Sequence, residues 1–119
     1  MQPHTRAIVA AAAHAFVIGK IVSGVFDHAR QQDLQIAAEA RGQRLQLQDG
    51  DRGVRFGGTL PELYDAGDKA FVSLEISGNR ATGYDRQSSG HFVVTVTEEQ
   101  AQLYDYSAEA WFAFDIRVV

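Results

Sequence analysis

Five aspartates recur along the 119-residue chain in one local setting: Asp27, Asp49, Asp65, Asp85 and Asp105. Four of them directly follow an aromatic residue, in the pairs Phe26-Asp27, Tyr64-Asp65, Tyr84-Asp85 and Tyr104-Asp105. By subtraction of residue numbers, their spacings are 22, 16, 20 and 20. Carboxylates in this pattern have two chemistries open to them. An aspartate entering a turn accepts backbone N–H bonds from its own loop and fixes the turn, which requires no ligand. Five carboxylates gathered at one end of a closed sheet would instead form an acidic mouth for a hard cation or a cationic ligand. The turn role is the favoured reading. No segment completes a calcium loop, since Asp49-Gly50-Asp51 lacks the remaining ligands and the distal glutamate.

Histidine is the other residue type that can carry chemistry near neutral pH. His28 follows Asp27, and His91 opens the apolar run after Asp85. Together with Asp85 they are the candidate acid–base set, an imidazole within reach of a carboxylate. Metal binding by His28 and His91 lacks a third ligand, so no metal centre and no cofactor is assigned. His4 reads as solvated near the terminus, and His14 as a hydrogen-bonded, partly buried ring on an apolar helix. Arg52 and Arg55 flank a turn and read as solvated. There is no G-x-S-x-G, phosphate-binding glycine loop or H-E-x-x-H.

The aromatic residues form a ladder of their own. Tyr64, Tyr84 and Tyr104 hold equivalent positions, with Phe26 in the first copy, and Tyr106 and Trp111 lie beside the last. One residue before an inward-facing aspartate, in a strand, means the outer face. These five residues, Tyr64, Tyr84, Tyr104, Tyr106 and Trp111, are the candidate interface for self-association, or else cross-strand partners that strengthen the sheet.

The elements that would position these groups follow from register. Seven residues after the anchors stand Leu34, Phe56, Val72, Phe92 and Phe112; nine after, Ile36, Gly58, Leu74, Val94 and Phe114; eleven after, Ala38, Leu60, Ile76, Val96 and Ile116. Large apolar residues at every second position mark a strand with one buried face. Two residues before the anchors stand Val25, Leu47, Leu63, Gly83 and Leu103, so the segment entering each turn is strand-like as well. Each copy reads strand, polar turn, strand. The connections between copies carry Gly42, Gly78-Asn79 and Glu98-Glu99. The unequal spacings read as changes in loop length. Gln32 to Arg41 contains good helix formers, but the repeat register assigns it to a strand.

The expected fold is therefore mainly β: an antiparallel meander of up to ten short strands in five hairpin repeats, at about 20–41, 42–60, 61–78, 79–98 and 99–119. Such a sheet must be closed or strongly curved into a barrel, because closure removes its edges. One N-terminal helix, at about 4–19, precedes it. The alanines Ala10 to Ala13 and Ala15 allow close approach, and Gly19 ends the helix. The whole is read as a single domain, 1–119. The period of about 20 falls in the range of leucine-rich repeats, but their leucine pattern is missing.

Composition limits the function classes. The chain has no cysteine, which excludes disulfides and thiolate metal sites. Net charge is −4 and the eleven basic residues are scattered, so no nucleic-acid partner is expected. Ala7 to Ile18 is too short for a membrane span and is interrupted by His14, so no membrane role and a cytoplasmic location are expected. The leading expectation is a non-enzymatic binding or interaction protein, self-associating as a homo-oligomer and open to a small-molecule or protein ligand. The alternatives are a small enzyme using a His/Asp pair at the loop end, or a cation or cationic-ligand binder at an acidic mouth.

Overall fold

The computed structural model describes all residues, 1–119. Helix α1 spans Pro3–Ile18, and eleven strand segments follow: β1 Val22–Asp27, β2 Gln32–Leu34, β3 Ile36–Arg41, β4 Arg44–Asp49, β5 Val54–Thr59, β6 Glu62–Asp65, β7 Ala70–Ser77, β8 Arg80–Asp85, β9 Gly90–Val96, β10 Gln100–Asp105 and β11 Ala110–Val118. Segments β2 and β3 both pair with β1 and act as one strand interrupted at Gln35. Neighbours pair antiparallel in chain order, and β1 pairs with β11, for example Val25 with Ile116 and Asp27 with Phe114. The result is a closed barrel of ten antiparallel strands, five hairpins arranged in a ring.

The helix lies inside this barrel. Nine consecutive residues, Ala7 to Ala15, are each at most 1% exposed, so no side of the helix faces water there. A helix that is apolar all round requires such surroundings. Ten strands about 4.8 Å apart and tilted by about 40° enclose a radius of roughly 10 Å. That is room for a narrow helix and one layer of wall side chains. Alanines keep the helix narrow, while Leu45, Phe56, Leu63, Leu74, Phe92, Leu103 and Phe114 supply the layer. Pro3 lies in the first turn and Gly19 closes the last, at φ 76°, donating its N–H to the Ala15 carbonyl.

The repeat register holds throughout. Leu34, Phe56, Val72 and Phe92 are buried, with Phe112 packed at the core's edge, and all belong to one inner face. Gln32 to Arg41 is strand, because inner-face packing of Leu34, Ile36 and Ala38 outweighs local helix propensity. The origin of the uneven spacing differs from the expectation. Every loop that follows an anchor has four residues, and the differences lie in strand length, with β5 and β6 at six and four residues against eight and six in β7 and β8. The loops are held constant by their internal bonding, so variation is confined to the strands and the opposite rim.

No helix is long and apolar enough to cross a membrane. The outer wall carries Arg44, Gln46, Gln48, Arg55, Ser73, Glu75, Thr82, Gln102 and Arg117, the reverse polarity of a lipid-facing barrel.

Gly83 occupies an anchor-minus-two position where the other copies have Val or Leu. A Cβ there would overlap the Ser73 carbonyl oxygen and the ring of Phe92, which lies over the glycine. Gly83→Ala is expected to lower stability by about 1–3 kcal/mol through overpacking, and Phe92→Ala by about 3–5 kcal/mol through the cavity it leaves. In urea melts both should lower the midpoint with the slope unchanged; unaltered midpoints would show that this ring-over-glycine contact does not bear on the core.

Candidate functional site

The five aspartates lie at one end of the barrel, the end that holds the N-terminus of α1. Each is at most 3% exposed. Their bonding follows one scheme. One carboxylate oxygen accepts N–H bonds from the second or third residue of its own loop. Asp27 Oδ1 accepts from Ala29 (3.0 Å) and Arg30 (3.3 Å), and Asp49 Oδ1 from Arg52 (3.4 Å). Asp65 Oδ1 accepts from Gly67 (2.8 Å) and Asp68 (2.9 Å), Asp85 Oδ1 from Gln87 (3.2 Å), and Asp105 Oδ1 from Ser107 (3.0 Å) and Ala108 (3.4 Å). The fourth residue of every loop has positive φ: Gln31, Gly53, Lys69, Ser89 and Glu109, between 53° and 65°. This left-handed residue returns the chain to the next strand, and the carboxylate holds the loop in the shape that requires it.

The second carboxylate oxygen takes a different partner in each copy. Asp27 Oδ2 accepts from Arg30 Nε (2.7 Å) and Asp49 Oδ2 from Arg52 Nε (2.7 Å). Arg52 also reaches across to Asp65 Oδ2 (2.9 Å) and to Asp68 Oδ1 (3.5 Å). Asp85 Oδ2 accepts from the Ser88 hydroxyl (2.6 Å) and has no cation. Asp105 Oδ2 accepts from the Met1 amine (3.2 Å) and Arg6 Nη1 (3.3 Å), with the Arg6 guanidinium 3.8 Å above the Phe112 ring. Burial disfavours charge on Asp105, but the bonds and field of the Met1 amine and the loop N–H groups outweigh it, holding the carboxyl below its usual range. Burial likewise opposes the charge on Arg52, and hydrogen bonds to Asp49 and Asp65 overcome it and raise its pKa.

Arg52, read from sequence as solvated, is instead the hub of this end, with only 21% of its side chain exposed. His4, also read as solvated, places Nε2 2.8 Å from Asp68 Oδ2. His4, Asp65 and Asp68 bring ligand atoms within 4.8 Å of one another. The Arg52 guanidinium already contacts both carboxylates and supplies the positive charge there.

The candidate acid–base residues are not brought together. Asp85 faces inward, paired across the hairpin with Gly90, whereas His91 faces outward opposite Tyr84. Adjacent strand positions point to opposite sides of the wall, which separates His91 from Asp85. His28 and His91 are on β1 and β9 sides of the ring with β11 and β10 between them, about 14 Å apart at one strand spacing per step. His28 Nε2 lies 2.9 Å from Asp115 Oδ1, within ion-pairing reach though without hydrogen-bond alignment. His28 first, and then the Gln100 amide, pull the Asp115 carboxyl below its usual range. No hydroxyl is bonded to any of these rings.

The outer aromatic residues do gather. Tyr104 contacts Trp111 across its hairpin (ring centroids 5.2 Å) and Tyr106 along it (4.9 Å). Tyr106 donates its N–H to the His91 carbonyl, and Tyr84 packs on His91 at 4.7 Å. A contiguous stripe, Trp111-Tyr104-Tyr106-His91-Tyr84, therefore crosses β11 to β8. Trp111 and Tyr106 are each 56% exposed. Tyr64 is not part of it; it pairs with Phe71 on the third hairpin (4.9 Å). A groove of about 630 Å³ runs along the stripe past Ser73, Glu75, Arg80 and Thr82.

His14 is fully buried, not partly, and sits toward the opposite end of the barrel. Its Nε2 donates to the Glu98 carbonyl (2.8 Å), and its Nδ1 has no partner. Burial pushes its pKa down against the favourable bond to the Glu98 carbonyl, so the folded ring is neutral at pH 7.

Comparison with protein families, with curated proteins and with solved structures finds no match for this chain.

Two outcomes follow. Asp105→Asn leaves Arg6 and the Met1 amine without their anion and should lose about 3–5 kcal/mol; Asp85→Asn keeps an acceptor for the Gln87 N–H, its NH2 can donate to the Ser88 hydroxyl in place of accepting from it, and it should lose only about 1 kcal/mol. Equal losses in denaturant melts would mean that the cation partners carry no weight. The second concerns pH. Unfolded His14 takes up a proton at its ordinary value of 6.5, whereas the folded ring resists it. Its contribution is complete above that pH and is lost as pH falls below it. The melting temperature should fall from pH 7 to 5, and less so in His14→Gln, which can still donate to Glu98; identical slopes would place the acid lability elsewhere.

Proposed function

We propose that this protein is a non-enzymatic interaction module, cytoplasmic in location, that self-associates through the aromatic stripe on β8 to β11. The observation that carries this reading is the exposure of Trp111 and Tyr106 within a five-ring patch that the monomer's own core does not use. Tyr and Trp concentrated in one patch with polar residues around it match the make-up of interface centres. The closed barrel has no free sheet edge, so association runs through side chains and not strand addition.

The partner proposed is a second copy of the chain. A two-fold contact places one surface against itself and therefore needs a surface that contains its own complement. Arg80 and Glu75 both line the groove beside the rings, so Arg80 of one copy can meet Glu75 of the other while the rings pack between them. Aromatic side chains bury about 150–250 Å² each. A stripe of this kind supplies a large share of the ~800 Å² per partner of a stable interface.

The test is the mass in solution over a concentration series, by light scattering or sedimentation. The unaltered chain should form a dimer, and Trp111→Ser with Tyr106→Ser should weaken it at least about 30-fold, the loss expected from one residue worth ~2 kcal/mol. Arg80→Glu alone should weaken it, and Arg80→Glu with Glu75→Arg should restore it. A monomer at every concentration, or a dimer indifferent to these changes, overturns the proposal.

A further inference from the structure

The ring of five loops is plugged unevenly. On the third and fifth hairpins the start of the helix fills the space inside the loops, with His4 against Asp68 and Arg6 against Asp105 and Phe112. On the first and second hairpins the helix offers Ala7 and the flank of His4, whose ring is engaged by Asp68, and a cavity of about 530 Å³ remains between the two loops and the helix. Its floor is apolar: Ala7, Leu34 and Ile36. Leu34 is the least covered residue of the core, at 8% exposed. This is also the one place where a barrel strand is interrupted, at Gln35.

The walls are held in place by bonds within the chain. Gln35 donates its N–H to Asp51 Oδ2 (2.9 Å), and its carbonyl accepts from Gly50 (2.7 Å), which ties the second loop to the break in the strand. Arg30 is oriented through Nε by Asp27, and its terminal Nη groups make no bond within the chain. Asp51 keeps a second carboxylate oxygen, and Gln32 adds an amide. The cavity thus offers a guanidinium fork, a carboxylate with a free oxygen and an aliphatic floor, while the other charged groups that line it are engaged within the chain, Asp49 with Arg52 and Asp33 with Arg117. A guanidinium fork matches a carboxylate, and a carboxylate matches an ammonium. The volume is in the usual range for small-molecule sites.

We propose that this cavity binds a small zwitterion with an aliphatic arm, of amino-acid to dipeptide size. The ligand's carboxylate lies on Arg30, its ammonium on Asp51, and its arm on Ala7, Leu34 and Ile36. The site is separate from the aromatic stripe, so its occupation does not depend on self-association.

The experiment is calorimetric titration, with thermal shift, using leucine and Leu-Leu as probes at up to millimolar concentration. The comparison ligands are 3-methylbutylamine, which lacks the carboxylate, and 4-methylpentanoate, which lacks the ammonium. At least one zwitterion should bind and raise the melting temperature, and each analogue should bind at least about tenfold more weakly. Arg30→Gln should abolish binding. Asp51→Asn, which still accepts the Gln35 N–H, should weaken it at least tenfold and serves where Arg30→Gln fails to fold. Trp111→Ser should bind as the unaltered chain does. No binding of either zwitterion at millimolar concentration, equal binding of the lone amine or lone carboxylate, or binding unaffected by both Arg30→Gln and Asp51→Asn overturns the proposal.

Discussion

A ten-strand barrel is too wide for its own inward side chains to meet at the axis. Eight strands leave an interior that side chains just fill; two more leave a central channel. This chain fills the channel with its own helix, and that requirement governs much of the sequence. The helix must be apolar on every side and narrow, hence the alanines from Ala10 to Ala15, broken only by His14. The wall must present one layer of medium and large side chains, hence the alternation seen most plainly in β4 and β10. Where the layer would be too thick, as under Phe92, the facing position is Gly83.

The second requirement is to turn the chain five times at one rim without leaving buried polar groups unpaired. The same aspartate loop does this in each hairpin, taking loop N–H groups on one oxygen and a side-chain or terminal partner on the other. The helix enters the barrel at that rim. Its first turn contains no acidic residue, and the negative charge that favours a helix N-terminus comes from the surrounding ring. Carboxylates that would repel one another on their own are interleaved with Arg30, Arg52, Arg6 and the Met1 amine.

How much of this was legible follows from the range of each interaction. The anchors and the positions seven, nine and eleven residues later are read within one hairpin, and they give the strands, the inner face and a sheet that must close or curve strongly; the helix is read from its own apolar run, and the closing pair β1–β11 joins segments too far apart in sequence to be read. The inward aspartates and outward tyrosines follow from the same two-residue period. The bond of Arg52 to Asp49 is local, but its reach to Asp65 and Asp68, and that of His4 to Asp68, run to another hairpin, and only the azimuth of the helix and the order of loops around the ring bring these groups together. His91 and Asp85 were grouped because both lie at the loop end; the side of the wall, which the period also dictates, separates them. The strand break at Gln35 has no local mark, since it is Gly50 and Asp51 of the next loop that hold it.

Imperfect symmetry explains where the rim differs from copy to copy. Five hairpins recur about every 72° around the axis, while successive helix residues advance by about 100°. Helical side chains therefore cannot meet all five loops in the same way. Two loops are met by His4 and by Arg6. The first two supply their own arginine three residues after the anchor, and the fourth supplies Ser88 at that position. The remaining mismatch falls beside Ala7, where neither helix nor loop fills the space. A repeat wrapped around a helix of different period cannot be closed equally on all sides, and the gap it leaves is a consequence of that geometry rather than of any one residue.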